Sequence, residues 1–293
     1  MSLSYIKPAL TTEQLIESLI KNGLAISNKD SAIFHLKTVS YHRLSSYFEP
    51  FLHDGQQFKL NSTFEAVWEL YTFDRKLRLL LNDPLETIEV AFRTTISDNM
   101  SMLYGSHWYL DPQHFKDQKR FQTFIKQIDE LCRTSHEPSI KGYYKKYSIP
   151  GYPPSWVIVE CIPFGTCNSL FRNLKKLNDK KMISKIFGYH PTAMESWMDS
   201  LRYTRNLCAH HARVWNRWFV ISPKLTYLYG PSFNKENSFY AQAIIISNLL
   251  KSINGGIEWR EKLFSLLDSY SQLNVAHMGF QENWEEDSFW KTK

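Results

Sequence analysis

Cysteine is scarce in this chain of 293 residues: Cys132, Cys161, Cys167 and Cys208 form no CxxC pair and interleave with no histidine at zinc-finger spacing. That argues against a disulfide framework or structural zinc, and points to a reduced compartment, the cytoplasm, with no metal and no cofactor. Long apolar runs are also missing. The longest aliphatic stretch, residues 243–246, falls far short of the roughly 20 residues that a spanning helix needs. No basic stretch leads into an apolar signal core at the N-terminus, so export and a membrane partner are not expected. Charge of one sign is in modest excess only: 35 Lys and Arg against 29 Asp and Glu give +6, which favours an anionic partner mildly and leaves position to decide. Apolar side chains, by contrast, are plentiful. At 43% hydrophobic and 15% aromatic, the chain can bury one large core or two modest ones, so disorder is not its default state.

Local signals divide the chain into helices. Thr11 with Gln14 three residues on has the form of a capping box, and Asn22-Gly23 supplies a stop, so a short helix is expected over residues 12–22. A second should start near Asp30. Residues 40–48 mix aromatics with Arg43 and then meet Pro50 and Asp54-Gly55, a turn signal. Residues 1–60 therefore read as a small N-terminal helical lobe, and 61–293 as a larger helical domain with a C-terminal helical extension. From Phe64 onward Leu70, Phe73, Leu77, Leu81, Ile88, Phe92 and Ile96 recur at three- and four-residue steps, the pattern of a long amphipathic helix. Pro84 interrupts it. Lacking an N–H, it predicts either a kink or a fresh helix capped by Asp83. Helical patterns also cover residues 118–132, 156–177, 193–215, 236–253 and 257–270, with 147–154 as a loop and Asn254-Gly255-Gly256 as a break. Strand alternation is scarce and no repeat is visible, so the fold class is all-α or nearly so.

Residues 193–215 carry the chemistry. On a helical wheel stepping about 100° per residue, Met194, Trp197, Met198, Leu201, Cys208, Ala212 and Trp215 form an apolar stripe. Arg202, Asn206, His210, Arg213 and Arg217 gather on the other side as a basic ridge. Arg205 lies at the border, its stem placed to pack while the guanidinium reaches round. A solvated face usually mixes its signs, and this ridge holds no acid after Asp199. Asn206 precedes His210 by four residues, so the amide can hold the imidazole in one orientation. Histidine moves protons near neutral pH, and arginine binds phosphate bidentately and stabilises the charge of phosphoryl transfer. RNA brings its own nucleophile, the 2′-hydroxyl, so such a set needs no metal. The Arg-to-His spacing alone recurs by chance about once in a chain of this composition and identifies nothing by itself.

The whole run is more specific. Arg202-Tyr203-Thr204-Arg205-Asn206-Leu207-Cys208-Ala209-His210-His211-Ala212-Arg213-Val214-Trp215-Asn216-Arg217 resembles the signature of Abi-like proteins, of the HEPN superfamily of α-helical ribonucleases. Residues 41–51, 71–94 and 153–174 are similar to three further stretches of that family, so the resemblance spans roughly residues 10–220. His42 and Pro84 depart from the family pattern, neither at the site. The resemblance implies a HEPN-like helical bundle and metal-independent endoribonuclease activity, with Arg205, Asn206 and His210 matching an R-N-x-x-x-H motif. It implies a homodimer, because two motifs of that superfamily meet across a dimer and this chain has one. It also implies abortive infection, a phage defence in which RNA cleavage halts the infected cell, and suggests a non-coding RNA or an antitoxin as a further partner.

Other segments also carry residues of candidate chemistry. Tyr143, Tyr144, Lys145, Lys146 and Tyr147 interleave aromatics with lysines, which suits stacking on single-stranded bases and equally suits buried rings beneath snorkelling lysines. RNA contacts are thus expected at Arg202, Arg213, Arg217, Lys145 and Lys146. Glu89 and Arg93, four apart in a helix, read as an ordinary surface pair before they read as a brace for the site, and Asp74, Arg75 and Arg78 read likewise. Two other functions stay open. The chain can bind RNA without cutting it, a reading that requires His210 to be dispensable, or its N-terminal helices can serve a DNA-binding regulator. For the latter, residues 30–39 offer little beyond His35 and Lys37 to read bases.

Overall fold

The computed structural model describes residues 8–53, 57–224, 236–253 and 256–291. The Asp54-Gly55 turn and the Asn254-Gly255 part of the expected break lie outside them. Among the described residues the regular elements are helices, with only isolated bridges such as Ala25 with Thr63 between extended segments. The fold is all-α, as the periodicity predicts. Contacts divide the chain into Met1–Leu77 and Arg78–Lys293. No described helix is long and apolar enough to cross a membrane.

The first unit holds α1 (Thr12–Lys21), α2 (Lys29–Val39), α3 (Tyr41–Ser45) and the opening turns of α4 (Phe64–Tyr104). The capping box forms as expected: the Gln14 N–H donates to Thr11 Oγ1 at 3.2 Å and the Thr11 N–H donates to Gln14 Oε1 at 2.9 Å. Gly23, at φ +95°, takes the left-handed turn that follows the helix. His35 stacks on Trp68 with ring centroids 3.5 Å apart, and burial there pushes its imidazole below the usual range. Asp74 is not the surface residue its sequence context suggests. It is fully buried and accepts a hydrogen bond from the Tyr47 hydroxyl, the kind of partner a buried carboxylate requires.

The second unit continues α4 and adds α5 (Gln118–Thr134), α6 (Pro138–Lys146), α7 (Ser155–Cys161), α8 (Phe164–Asn173), α9 (Leu177–Ser184), α10 (Pro191–Ala209), α11 (Phe239–Ile253), α12 (Ile257–Asp268) and α13 (Ser288–Lys291). Helix α10 packs against α8, α9 and α11, and α5 packs against α8. Trp197, Met198 and Leu201 on α10 are buried, as the apolar stripe predicts. So are all residues from Phe239 to Ile246, the mark of a helix buried on every side. Phe92 of α4 meets Phe171 of α8 edge-to-face at 5.2 Å, which fixes α4 against the layer that α10 lies on.

Pro84 neither ends α4 nor starts a new helix. It cannot donate to the Leu80 carbonyl one turn back, and the indole Nε1–H of Trp259 on α12 donates to that carbonyl at 3.3 Å instead. Three other expectations change. Residues 156–177 form two helices, because Pro163 has no N–H to continue the first. Helices α6 and α9 are additional; α9 buries Asp179 and Lys180, so apolar periodicity does not reveal it. Most consequentially, the helix expected over 193–215 ends at Ala209.

Candidate active site

The end of α10 is built by backbone hydrogen bonds. The Ala212 N–H donates to the Leu207 carbonyl at 2.9 Å and the His211 N–H to the Cys208 carbonyl at 3.0 Å, the paired bonds of a Schellman cap. His211 occupies the left-handed position, φ +55°, where glycine is usual and a side chain costs on the order of 1 kcal/mol. The chain then leaves the helix, and Val214 and Trp215 return to the core, both fully or nearly fully buried. His210 is therefore the residue that caps the helix, exposed, with its N–H bonded to the Asn206 carbonyl at 3.0 Å. Asn206 is half-buried one turn back. Among the described residues no hydrogen bond joins its amide to the His210 imidazole, so the orienting role expected for it is not formed here.

Arg205 is held from α4. Its guanidinium Nε lies 3.8 Å from Glu89 Oε2, while the other Glu89 oxygen accepts from Arg93, whose Nε stands at 3.1 Å. Arg93 in turn donates to the Val159 carbonyl and, at 2.8 Å, to the Ile162 carbonyl, groups that the end of α7 leaves without helical partners. Glu89 and Arg93 expose 13% and 8% of their side chains, so this is no surface pair, and the brace that the sequence reading placed second is the arrangement observed. Arg205 keeps 48% of its side chain exposed, on the helix that His210 caps. His210 follows Arg205 by five residues, at helical pitch a rise of about 7.5 Å and a turn of about 140° round the axis.

The basic ridge does not survive as a helical face. Arg213 and Arg217 lie beyond the last turn, so the wheel that aligned them with Arg202 does not apply. Arg217 folds back, donating to the Tyr203 hydroxyl at 3.3 and 3.2 Å and to the Arg213 carbonyl at 3.3 Å. Arg78 of α4, buried rather than exposed as expected, reaches the Ala212 carbonyl at 3.5 Å and supports the turn just after His210. Arg75 is exposed, in keeping with its surface reading. Arg202 faces a separate cavity together with Asp199. Lys145 and Lys146 sit exposed at the end of α6, whose Tyr143 and Tyr144 hydroxyls donate to the Pro150 and Gly151 carbonyls. The structure thus gathers Arg205, Asn206 and His210 in the last turns of α10, and leaves the two lysines on another helix.

Other nucleophiles near the site are muted. None of the four cysteines is in a disulfide, and burial pushes the Cys167 thiol, on α8 behind Glu89 and Arg93, up to about 12, where it stays protonated.

Comparison with known proteins adds one finding. Residues 34–216, more than half of the chain, match the family model described as Abi-like protein; the match begins within α2, takes in all of α3 through α10 and ends one residue before Arg217. No curated protein and no solved structure matches the chain.

Proposed function

The chain belongs to the Abi-like family, and from that premise we propose that it is a metal-independent endoribonuclease acting in abortive infection, with a HEPN-type site at the end of α10. The observation that carries this reading is the coupling of Arg205 to a buried Glu89–Arg93 pair, with exposed His210 five residues further on. A guanidinium held by a buried carboxylate is pre-positioned for charge that develops at a fixed point.

In the reaction we propose, the ribose 2′-hydroxyl attacks the adjacent phosphorus while His210 takes its proton. Arg205 binds the non-bridging oxygens as negative charge accumulates on them. The bond to the 5′-oxygen breaks, and that oxygen leaves with a proton from an acid on the opposite side. One chain offers a single histidine placed for this, so a second copy of His210 across a two-fold axis is the proposed acid, and the active species a homodimer.

The test is incubation of purified protein with total RNA in EDTA, followed by analysis of the new ends. The expected result is undiminished cleavage leaving 2′,3′-cyclic phosphate and 5′-hydroxyl termini, with DNA of the same sequence intact. Products bearing 5′-phosphates would point instead to an activated water.

A further inference from the structure

A cavity of about 450 Å³ lies between α5, α8 and α10, within the ~300–1,000 Å³ range of small-ligand sites. Nothing in the reaction above uses it. Phe121 and Phe124 of α5 give it an apolar wall, and each of its three helices contributes one guanidinium: Arg120, Arg172 and Arg202.

Asp199 organises the charged side. Its Oδ1 accepts from the side-chain amide of fully buried Asn168 at 2.8 Å, and its Oδ2 accepts from Arg172. Pinned by Asn168, the carboxylate keeps its direction and holds Arg172 in place. Arg202 Nε stands 3.9 Å from Oδ1, an ion pair too long for a hydrogen bond, so its donors remain for a ligand. Gly165 makes this possible: a Cβ there would come within 3.0 Å of Arg202 Cδ, so the bare backbone of α8 is what lets the arginine stem lie across it. Arg120 is paired with Asp117 at 3.3 Å, but at 55% side-chain exposure that pair is weak and exchangeable. Three guanidiniums against Asp199 and Asp117 leave an excess positive charge facing the cavity.

Guanidinium forks beside phenyl rings match a ligand that is anionic at one end and flat and unsaturated at the other. We propose that this cavity takes one phosphorylated nucleoside, its phosphate on Arg172 and Arg202 and its base against Phe121 and Phe124. Arg202 and Arg205 are three residues apart on α10, hence neighbours on its surface. An RNA strand with its scissile phosphate at Arg205 therefore places an adjacent nucleotide at the cavity. That placement rests on the ribonuclease reading; the nucleotide site does not.

The test uses full-length His210→Ala protein, so that no cleavage is needed for a signal, titrated with fluorescein-labelled RNA and separately with the four nucleoside 5′-monophosphates. Ser169→Trp, at an exposed position on the rim, fills the cavity; Arg120→Glu reverses one of its charges at a half-exposed position. Each is expected to weaken RNA binding at least tenfold, and Arg120→Glu to lower the slope of log affinity against log salt by about 1. The mononucleotides identify the source. If they bind and both substitutions abolish it, the cavity accepts free nucleotides; if only RNA binding falls, it accepts a nucleotide within a strand, and either result supports the site. Unchanged affinity for RNA and for every mononucleotide in both variants overturns it, as does the absence of binding by the parent protein. Should wild-type protein bind in this way yet cut nothing, the ribonuclease reading fails and the nucleotide site stands.

Discussion

His210→Ala and Arg205→Ala proteins are each expected to cut RNA about a thousandfold more slowly than wild type, within the range for loss of a positioned general base or a charge stabiliser. Their melting temperatures should stay within about a degree or two. His210 is exposed at the helix end, and Arg205 contributes only a 3.8 Å ion pair from a half-exposed side chain, which is worth little in water. Unequal effects on activity and stability separate a reacting group from a structural one. Asn206→Ala should lose less, since no bond to the imidazole is formed for it to break. Mixing wild-type with excess His210→Ala protein adds a second reading. Because the proposed site takes one His210 from each protomer, a mixed dimer lacks either its base or its acid, and the inactive protein should silence its wild-type partner. If activity only follows the amount of wild-type protein, the shared-site proposal fails while the residue assignment survives.

Arg93→Met should do the reverse, lowering stability first and activity as a consequence. The substitution keeps an apolar stem but strands the Glu89 carboxylate at 13% exposure and leaves the Val159 and Ile162 carbonyls without their donor. Removing one partner of a buried pair costs about 3–5 kcal/mol, or roughly a 6–20 °C drop in melting temperature for a unit of this size. Glu89→Gln is the informative companion. The amide oxygen still accepts from Arg93, so most of the stability is retained, while Arg205 loses its counter-charge. Its expected signature is a lower kcat with identical product ends, measured beside thermal unfolding. A Glu89→Gln protein with wild-type kcat would show that the brace does not position Arg205.

The two halves of the site were unequally legible. Arg205, Asn206 and His210 are candidates from one segment, because the run from Arg202 to Arg217 resembles a family signature, which their spacing alone could not supply. Their support is not legible in that way. Glu89 and Arg93 present an i,i+4 pair, and nothing local says that the pair lies beside buried Ile88 and Phe92 and meets carbonyls some 70 residues away; that is a property of packing. The end of α10 was hidden for a different reason. Its cap uses His211 where a glycine would have announced the stop, and Ala212 and Trp215 continue the apolar spacing after the backbone has left the helix. The wheel consequently enrolled Arg213 and Arg217 in a face that does not exist. Pro84 shows the same limit, since the donor that keeps α4 continuous is Trp259, supplied from near the other end of the chain. The helical class, the capping box and the apolar core positions were readable because each depends on neighbours within a few residues.

The most direct test of the central claim is an RNA carrying a single 2′-deoxynucleotide immediately 5′ of a mapped cleavage position, incubated with wild-type protein. With the nucleophile removed, cutting at that position should stop while cuts at unmodified positions continue at their former rate. Continued cleavage at the deoxy position would contradict attack by the 2′-hydroxyl, and with it the roles assigned to His210 and Arg205.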